Sequence, residues 1–313
     1  MKRMISCVSL NPSIDRTLGI DRLCAGGLNR VRSQTDAAAG KGVNVSLALA
    51  ALGKSAMCVG FMWDEGEALF RQRLENGGVA WDFTQCPGAV RVNLKVMDRA
   101  RGEITELNSP GVPVTQAQLE DVRARIAKRA ATSSFLILSG SLPPSCPGDF
   151  YQALTTDAAK AGCRVILDAD GERLRHGLMA EPYLIKPNRA ELEALTGMSL
   201  RTTDDVLDAA RSCIRMGARN VAVSLGAEGA ILTNGIEAWR AKGVPVKVKS
   251  TVAAGDSMVA GFAAAFCDGR AFADALRLGT AAATVRCCTP PDEVISGEAC
   301  RKMAKEIEVE RIG

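Results

Sequence analysis

The chain has one histidine, His176, in 313 residues. That scarcity excludes a Ser-His-Asp triad, a histidine-ligated zinc site and an imidazole relay, unless His176 itself supplies them. His176 lies in the polar helical stretch GERLRHGL, where a histidine near a helix C-terminus is an ordinary surface residue. Aromatic residues are 4% of the chain, and the net charge is only +4 with its lysines and arginines scattered. No basic block offers itself to nucleic acid. The eleven cysteines form no C-x-x-C pair. Cys7, Cys58, Cys163, Cys213 and Cys267 sit in apolar runs, where free thiols pack as small hydrophobes. The start, MKRMISCVSLNPSID, has two early cations but too short an apolar stretch for a signal peptide. The longest apolar run, Met258 to Cys267, falls well short of the roughly 20 residues that cross a bilayer. A reduced, cytoplasmic chain with no membrane or nucleic-acid partner is expected. G-x-x-x-x-G-K-[ST] and G-x-G-x-x-G are both missing, which excludes a Walker loop and counts against a nicotinamide enzyme.

What is present is enough for a large core: 47% apolar residues beside an ordinary 24% charged. The length suits one large α/β domain with a smaller appendage. Continuous apolar runs read as buried strands at 5–10, 55–62, 134–140, 163–170, 182–188 and 220–226. Helical patterns alternate with them at 42–53, 65–78 and 115–130, the last opening on a Thr cap. The alternation predicts a doubly wound, mostly parallel sheet flanked by helices. Two segments, 13–33 and 89–107, instead alternate apolar with polar residues, the second around the turn ARG. They predict a small antiparallel β lid over a cleft. The expected division is a core of 1–12, 34–87 and 113–313, with a lid of 13–33 and 88–112. The tail after Pro290 reads as polar, helical and external.

Chemistry concentrates in loops that follow strands. In STVAAGDSMVAGF, small residues precede an apolar helix, so the amides of Ala254, Gly255 and Asp256 are unpaired N-terminal donors suited to an anion. Asp256 is either the helix N-cap or a base for a hydroxyl attacking a phosphoryl group, with a pKa that the helix end would depress. AAAGKGVN places Gly40 and Gly42 around Lys41 before a helix, and alone reads as a flexible turn. In KPNRAELEALTG, Asn188 and Glu191 have capping-box spacing, and the carboxylate could also organise magnesium through water. VSLGAEG and SGSLPPS are strand ends followed by tight turns. All five loops belong on the ligand-binding edge of an α/β sheet.

NPSID at 11–15, AAGKGVN at 38–44, SGSLPP at 139–144, KPNRAE at 186–191, SLGAEG at 224–229 and STVAAGDSM at 250–258 together resemble the PfkB-type (ribokinase-like) carbohydrate kinases. The likeness covers about nine-tenths of the chain, to about residue 285. The NP-x-x-D start is similar to the phosphosugar branch, 1-phosphofructokinases and tagatose-6-phosphate kinases. The resemblance implies transfer of a phosphoryl group from ATP to D-fructose 1-phosphate, with tagatose 6-phosphate as the alternative acceptor. It implies Asp256 as base, with the amides of Ala254, Gly255 and Asp256 as an anion hole and Ala253 completing the catalytic stretch. Asp15, Gly40, Lys41, Asn44, Arg91, Asn93 and Ser139 would hold the phosphosugar, Arg91 as the planar fork on its phosphate. Lys186, Asn188, Ser224, Gly226, Ala227, Gly229 and Thr251 would border the nucleotide. Glu191, through water, and Asp168 would attend Mg²⁺. A monovalent cation such as K⁺ is also implied, although its segment, VRCCTPPDE after Thr284, matches weakly. A homodimer through the lid is expected. The family usually has Gly where this chain has Ala253. If that position needs φ > 0, the methyl costs about 1 kcal/mol. A sugar-phosphate-binding regulator without catalysis and a dinucleotide oxidoreductase are the readings from other classes.

Overall fold

A computed structural model describes residues 4–313. The first three residues, with the early cations Lys2 and Arg3, lie outside the described residues. In chain order the strands are β1 Met4–Ser9, β2 Ser13–Ile20, β3 Val31–Ala39, β4 Ala56–Glu65, β5 Ala80–Ala89, β6 Arg91–Asp98, β7 Glu103–Leu107, β8 Ser133–Ser139, β9 Arg164–Asp168, β10 Leu184–Ile185, β11 Val221–Ser224, β12 Gly229–Thr233, β13 Ala238–Lys242 and β14 Val309–Arg311. The helices are α1 Lys41–Ala51, α2 Glu67–Asn76, α3 Gln116–Ala130, α4 Phe150–Lys160, α5 Gly171–Leu178, α6 Arg189–Thr196, α7 Thr203–Arg215, α8 Ala254–Cys267, α9 Phe272–Cys288 and α10 Gly297–Glu306.

A ten-stranded sheet runs β14-β13-β12-β11-β10-β9-β8-β1-β4-β5. From β11 to β5 every pairing is parallel, and β12, β13 and β14 extend the sheet antiparallel. The central strands are apolar throughout because helices cover both faces: Ile5, Cys7, Val8 and Phe135 to Leu138 are fully buried. Helix α1 lies close over the end of β1. A Cβ on Gly42 would meet the Val8 carbonyl oxygen at 2.4 Å, so the helix start sits where only glycine fits. Likewise α8 and α9 touch backbone to backbone, since a Cβ on Gly261 would lie 2.7 Å from the Gly279 Cα.

The second sheet has four strands in the order β3-β2-β6-β7. β2 pairs antiparallel with β3 and β6 with β7, while β2 and β6 run parallel. The strand period of two puts Asp15, Asn93, Lys95 and Glu106 on one face, turned towards the parallel sheet.

Several boundaries differ from the sequence reading. β3 continues to Ala39, past the 13–33 segment and up to the glycine turn. β5 is a strand that the sequence reading lacks, at the sheet edge and containing Pro87, which only an edge tolerates. The 182–188 run narrows to the two residues of β10, flanked by Pro182 and Pro187. The tail forms α10 as read, then turns back as β14 and hydrogen-bonds to β13. None of the eleven cysteines forms a disulfide among the described residues. No helix among the described residues is long and apolar enough to cross a membrane.

Candidate active site

Parallel strands end on one edge, and the chain places Ser139, Asp168, Lys186 and Ser224 at the ends of β8, β9, β10 and β11. The register sets Ser139 beside Asp168. A bridge between Asn188 and Ser224 continues the row. Above this edge a cleft of about 770 Å³ opens beneath the small sheet. Its walls include Asp15, Arg91, Asn93 and Lys95 from the lid side, and Gly40, Lys41, Asn44 and Ser139 from the core. That volume suits a small metabolite. Two buried polar atoms in the wall have no partner among the described residues: Ser139 Oγ and Asn11 Oδ1.

The floor is an ionic cluster. Asp168 is 2% exposed, and its two oxygens face Lys41 Nζ at 3.3 Å and Lys186 Nζ at 3.2 Å. Burial pushes the Asp168 carboxyl up, but Lys186 and Lys41 outweigh it and hold it below the usual carboxylate range. The sequence reading put Asp168 in the solvation shell of magnesium. In the structure an ammonium stands on each of its oxygens. Burial lowers the Lys41 pKa, yet the charges of Asp168, Asp256 and Glu191 raise it overall, so the ammonium persists. Lys186 Nζ lies 3.2 Å from where a Gly255 Cβ would stand, directly against the start of α8.

The start of α8 is built from small residues. Ala253 is the N-cap residue and adopts φ 62°, the left-handed region, so the methyl is accommodated at a cost of about 1 kcal/mol. The Ala254 amide closes a turn onto the Thr251 carbonyl at 3.2 Å, and the Ser257 amide bonds to Ala253. The amides of Gly255 and Asp256 have no partner among the described residues. They are helix N-terminal donors beside the Lys186 ammonium.

Asp256 does not cap the helix; no side-chain cap bond forms there. One carboxylate oxygen accepts from Asn44 Nδ2 at 2.8 Å, tying α8 to α1. The residue is 5% exposed, and its neighbours Asn44 and Val252 line the cleft. The sequence reading expected the helix end to depress its pKa. Instead burial, followed by the charge of Asp168, raises it to about 6 against the opposing pull of Lys41, Asn44 and Lys186. Desolvation of the charged form outweighs the helix end here. The result is a stronger base than an exposed aspartate, still ionised at neutral pH.

On the lid, Asp15 accepts from Ser13 Oγ at 3.0 Å and Asn93 Nδ2 at 3.2 Å, and pairs with Lys95 at 2.7 Å. Lys95 lines the cleft but is not among the residues the sequence reading picked. Its signal was the strand period: it follows Arg91 and Asn93 on the same face. Arg173 is a second cleft cation of that kind, reached from α5. Arg91 differs from the expected free fork. Its Nε and Nη2 donate to the Asn11 carbonyl at 3.1 and 2.9 Å, and its Nη1 to the Ser109 carbonyl at 2.6 Å. It clamps two loops at the cleft mouth and keeps only two N–H groups uncommitted.

Asn188 and Glu191 form the reciprocal capping box, each bond 2.9 Å long. Glu191 therefore already uses one carboxylate oxygen. Gly226 and Gly229 have φ 60° and 100° and frame the turn after β11, beside the exposed Ala227. Thr251 is exposed at the loop before α8. These positions share the sheet edge with the floor cluster. No group of three His, Cys, Asp or Glu suited to holding a metal occurs among the described residues.

A buried carboxylate, an open helix N-terminus and two retained ammonium groups lie together beneath a sugar-sized cleft, the set of groups that a phosphotransferase needs. Comparison with known proteins agrees. The family description "pfkB family carbohydrate kinase" matches residues 4–291. A 1-phosphofructokinase of Rhodobacter capsulatus is 38% identical over 90% of this chain and 89% of its own length. Phosphofructokinase-2 of Escherichia coli in complex with fructose-6-phosphate superposes with a TM-score of 0.89 at 28% identity, covering 98% of this chain and 99% of that one. The same enzyme in complex with potassium superposes with a TM-score of 0.91 at 28% identity over the same shares. The chain belongs to the pfkB family of carbohydrate kinases, and its fold, a mostly parallel sheet with a small second sheet, is ribokinase-like. Membership implies ATP as the phosphoryl donor.

Proposed function

We propose that the chain transfers the γ-phosphoryl group of ATP to the C6 hydroxyl of D-fructose 1-phosphate, releasing ADP and D-fructose 1,6-bisphosphate. The observation that carries this is the Asp256 carboxylate beside the unpartnered amides of Gly255 and Asp256, with Lys186 against them. The name of the 38%-identical relative supports the acceptor.

In this reading the sugar lies in the cleft between Asp15 and Asn93 of the lid and Gly40, Lys41, Asn44 and Ser139 of the core. Asn44 aims Asp256, which takes the hydroxyl proton as the sugar oxygen bonds to phosphorus and the bond to ADP breaks. The helix amides and the Lys186 ammonium stabilise charge on the transferred group, the larger need in a loose transition state. The two free N–H groups of Arg91, with Lys95, serve the substrate's own phosphate. Asn188, Ser224, Gly226, Ala227, Gly229 and Thr251 form the nucleotide's side of the edge. The donor set fits a magnesium ion carried on the triphosphate and reached by Glu191 through water, because no protein cage exists among the described residues. Magnesium would neutralise phosphate charge there. A potassium requirement is no part of this reading, since the segment after Thr284 holds a guanidinium in its carbonyls. The small sheet acts as a lid that keeps water from the phosphoryl group. Exposed Val31 and Leu107 on that sheet, with Leu28 in the loop before β3, support pairing of two lids in a homodimer, which sedimentation velocity would refute by returning a monomer.

A coupled ADP-release assay over phosphorylated and free ketohexoses, ranked by kcat/KM, tests the assignment. D-fructose 1-phosphate should lead. Tagatose 6-phosphate in first place would move the chain to that substrate. Sugar-phosphate binding without any ADP release would make it a regulator.

A further inference from the structure

A helix leaves its last carbonyls without amide partners, and a cation is favoured beside them. At the end of α9 the chain supplies its own. Arg286, in the last turn, is 5% exposed and reaches into the turn that follows the helix. Its Nη1 donates to the Glu293 carbonyl at 2.6 Å, and its Nη2 to the carbonyls of Thr289, at 2.8 Å, and Pro290. Three carbonyl oxygens from the 289–293 turn thus converge on one buried positive charge. This turn lies in the segment where the family resemblance would place a monovalent cation. The carbonyl of the next residue, Cys287, accepts from the amides of Lys249 at 2.8 Å and Ser250 at 3.3 Å. That loop runs directly into Ala253 and the start of α8. Arg286 and Ala253 also line one cavity of about 350 Å³.

We infer, on the strength of the kinase reading, that the Arg286 guanidinium does inside this chain what a bound monovalent cation would do, so that turnover is indifferent to potassium. A relative 28% identical has been solved with potassium. Here the oxygens that would ligate such an ion are already donated to. A guanidinium accepts nothing and stays charged at any working pH, so an added cation would meet like charge and too few free oxygens. The guanidinium fixes the helix end, the helix end fixes the 249–253 loop, and the loop sets the anion-binding amides. Arg286 is a positioning residue; it touches no reacting atom.

The test compares wild type with Arg286→Ala in potassium chloride and in tetramethylammonium chloride at matched ionic strength. ADP release from D-fructose 1-phosphate and ATP is read beside the melting temperature. Wild type should give the same rate and the same melting temperature in both salts. Arg286→Ala should lose about tenfold to hundredfold in kcat in tetramethylammonium, as a displaced site does. Potassium, or dilute guanidinium chloride, should restore part of that rate and raise the variant's melting temperature. Activation of wild type several-fold by potassium, or a melting temperature that potassium raises, would overturn the inference. So would an Arg286→Ala variant that keeps the wild-type rate in tetramethylammonium. If the variant does not fold, the wild-type comparison still decides. A wild type that releases no ADP in either salt breaks the kinase reading instead, and the melting comparison then decides the cation question alone.

Discussion

The floor of the cleft and the lid above it carry charge in different ways. On the floor, Asp168 and Asp256 are buried, and each departs from the ordinary aspartate range, one downwards and one upwards. On the lid, Arg32 and Asp21 pair with side chains 54% and 64% exposed, and Arg16 and Asp36 pair at its surface. Exposed pairs of this kind contribute little and are screened by salt. Buried charges are costly unless function or pairing retains them. The floor's three buried charges, Asp168, Asp256 and Lys186, with the half-exposed Lys41 beside them, therefore mark the chemistry. The lid's charges mark a wet surface, except where Asp15, Arg91 and Lys95 turn into the cleft and where Asp98, 3% exposed, accepts from the amides of Leu23 and Arg101. Floor substitutions should show in kcat and lid substitutions in the KM of the sugar.

The sharpest break of that contrast is Asp256→Asn. It should lower kcat about a thousandfold while ATP binding, read by calorimetry, stays near wild type. The same variant separates chemistry from stability. The folded-state pKa of Asp256, about 6, lies above its ordinary 3.8, so the folded state holds that proton more tightly. Ionising Asp256 thus costs stability as pH rises through that interval, and the full cost is present above about 6. Asp256→Asn should be more stable than wild type at pH above 6, by about 1–3 kcal/mol, with the gap closing in acid. Melting curves across pH read this directly, and a variant less stable at neutral pH would contradict the assigned burial cost. Next in size is Lys186→Met, with kcat down about a hundredfold in the coupled assay. An unchanged kcat would remove Lys186 from the transferred phosphoryl group. Arg91→Ala should raise the sugar's KM about tenfold and ATP's far less, since a charged hydrogen bond is worth about 1.5–3 kcal/mol. Equal changes in both KM values would make Arg91 a loop clamp only. The smallest effect belongs to Ala253→Gly. Relief of the left-handed strain and the added freedom of the unfolded chain nearly cancel, so the shift should stay within about 1 kcal/mol. A large loss would show the methyl to be packed against something essential.

The two regions were legible in the sequence to different depths. Glycine and alanine before an apolar run pointed to the start of α8 and to Asp256, because these features are local, whereas Lys41 and Lys186 were marked only by the family resemblance. Alternation of apolar and polar residues revealed β2, β6 and β7 for the same reason. β5 stayed hidden because AWDFTQCPGA is polar and holds a proline, and only its pairing with β4 makes it a strand. The sign of the Asp256 shift was also hidden. It depends on burial beneath α1 and on Asp168, which is remote in sequence. Arg91 looked like a free fork because its clamp partners, the carbonyls of Asn11 and Ser109, come from loops that meet only in the fold.

The central claim is that the buried Asp256 carboxylate accepts the sugar's proton. The pH dependence of kcat, measured with ATP and D-fructose 1-phosphate both saturating, tests it most directly. Wild type should lose turnover in acid with an apparent pKa at or above about 6, and the residual activity of Asp256→Asn should lack that limb. A kcat that stays flat through pH 6, or an acid limb shared by both proteins, would contradict the account.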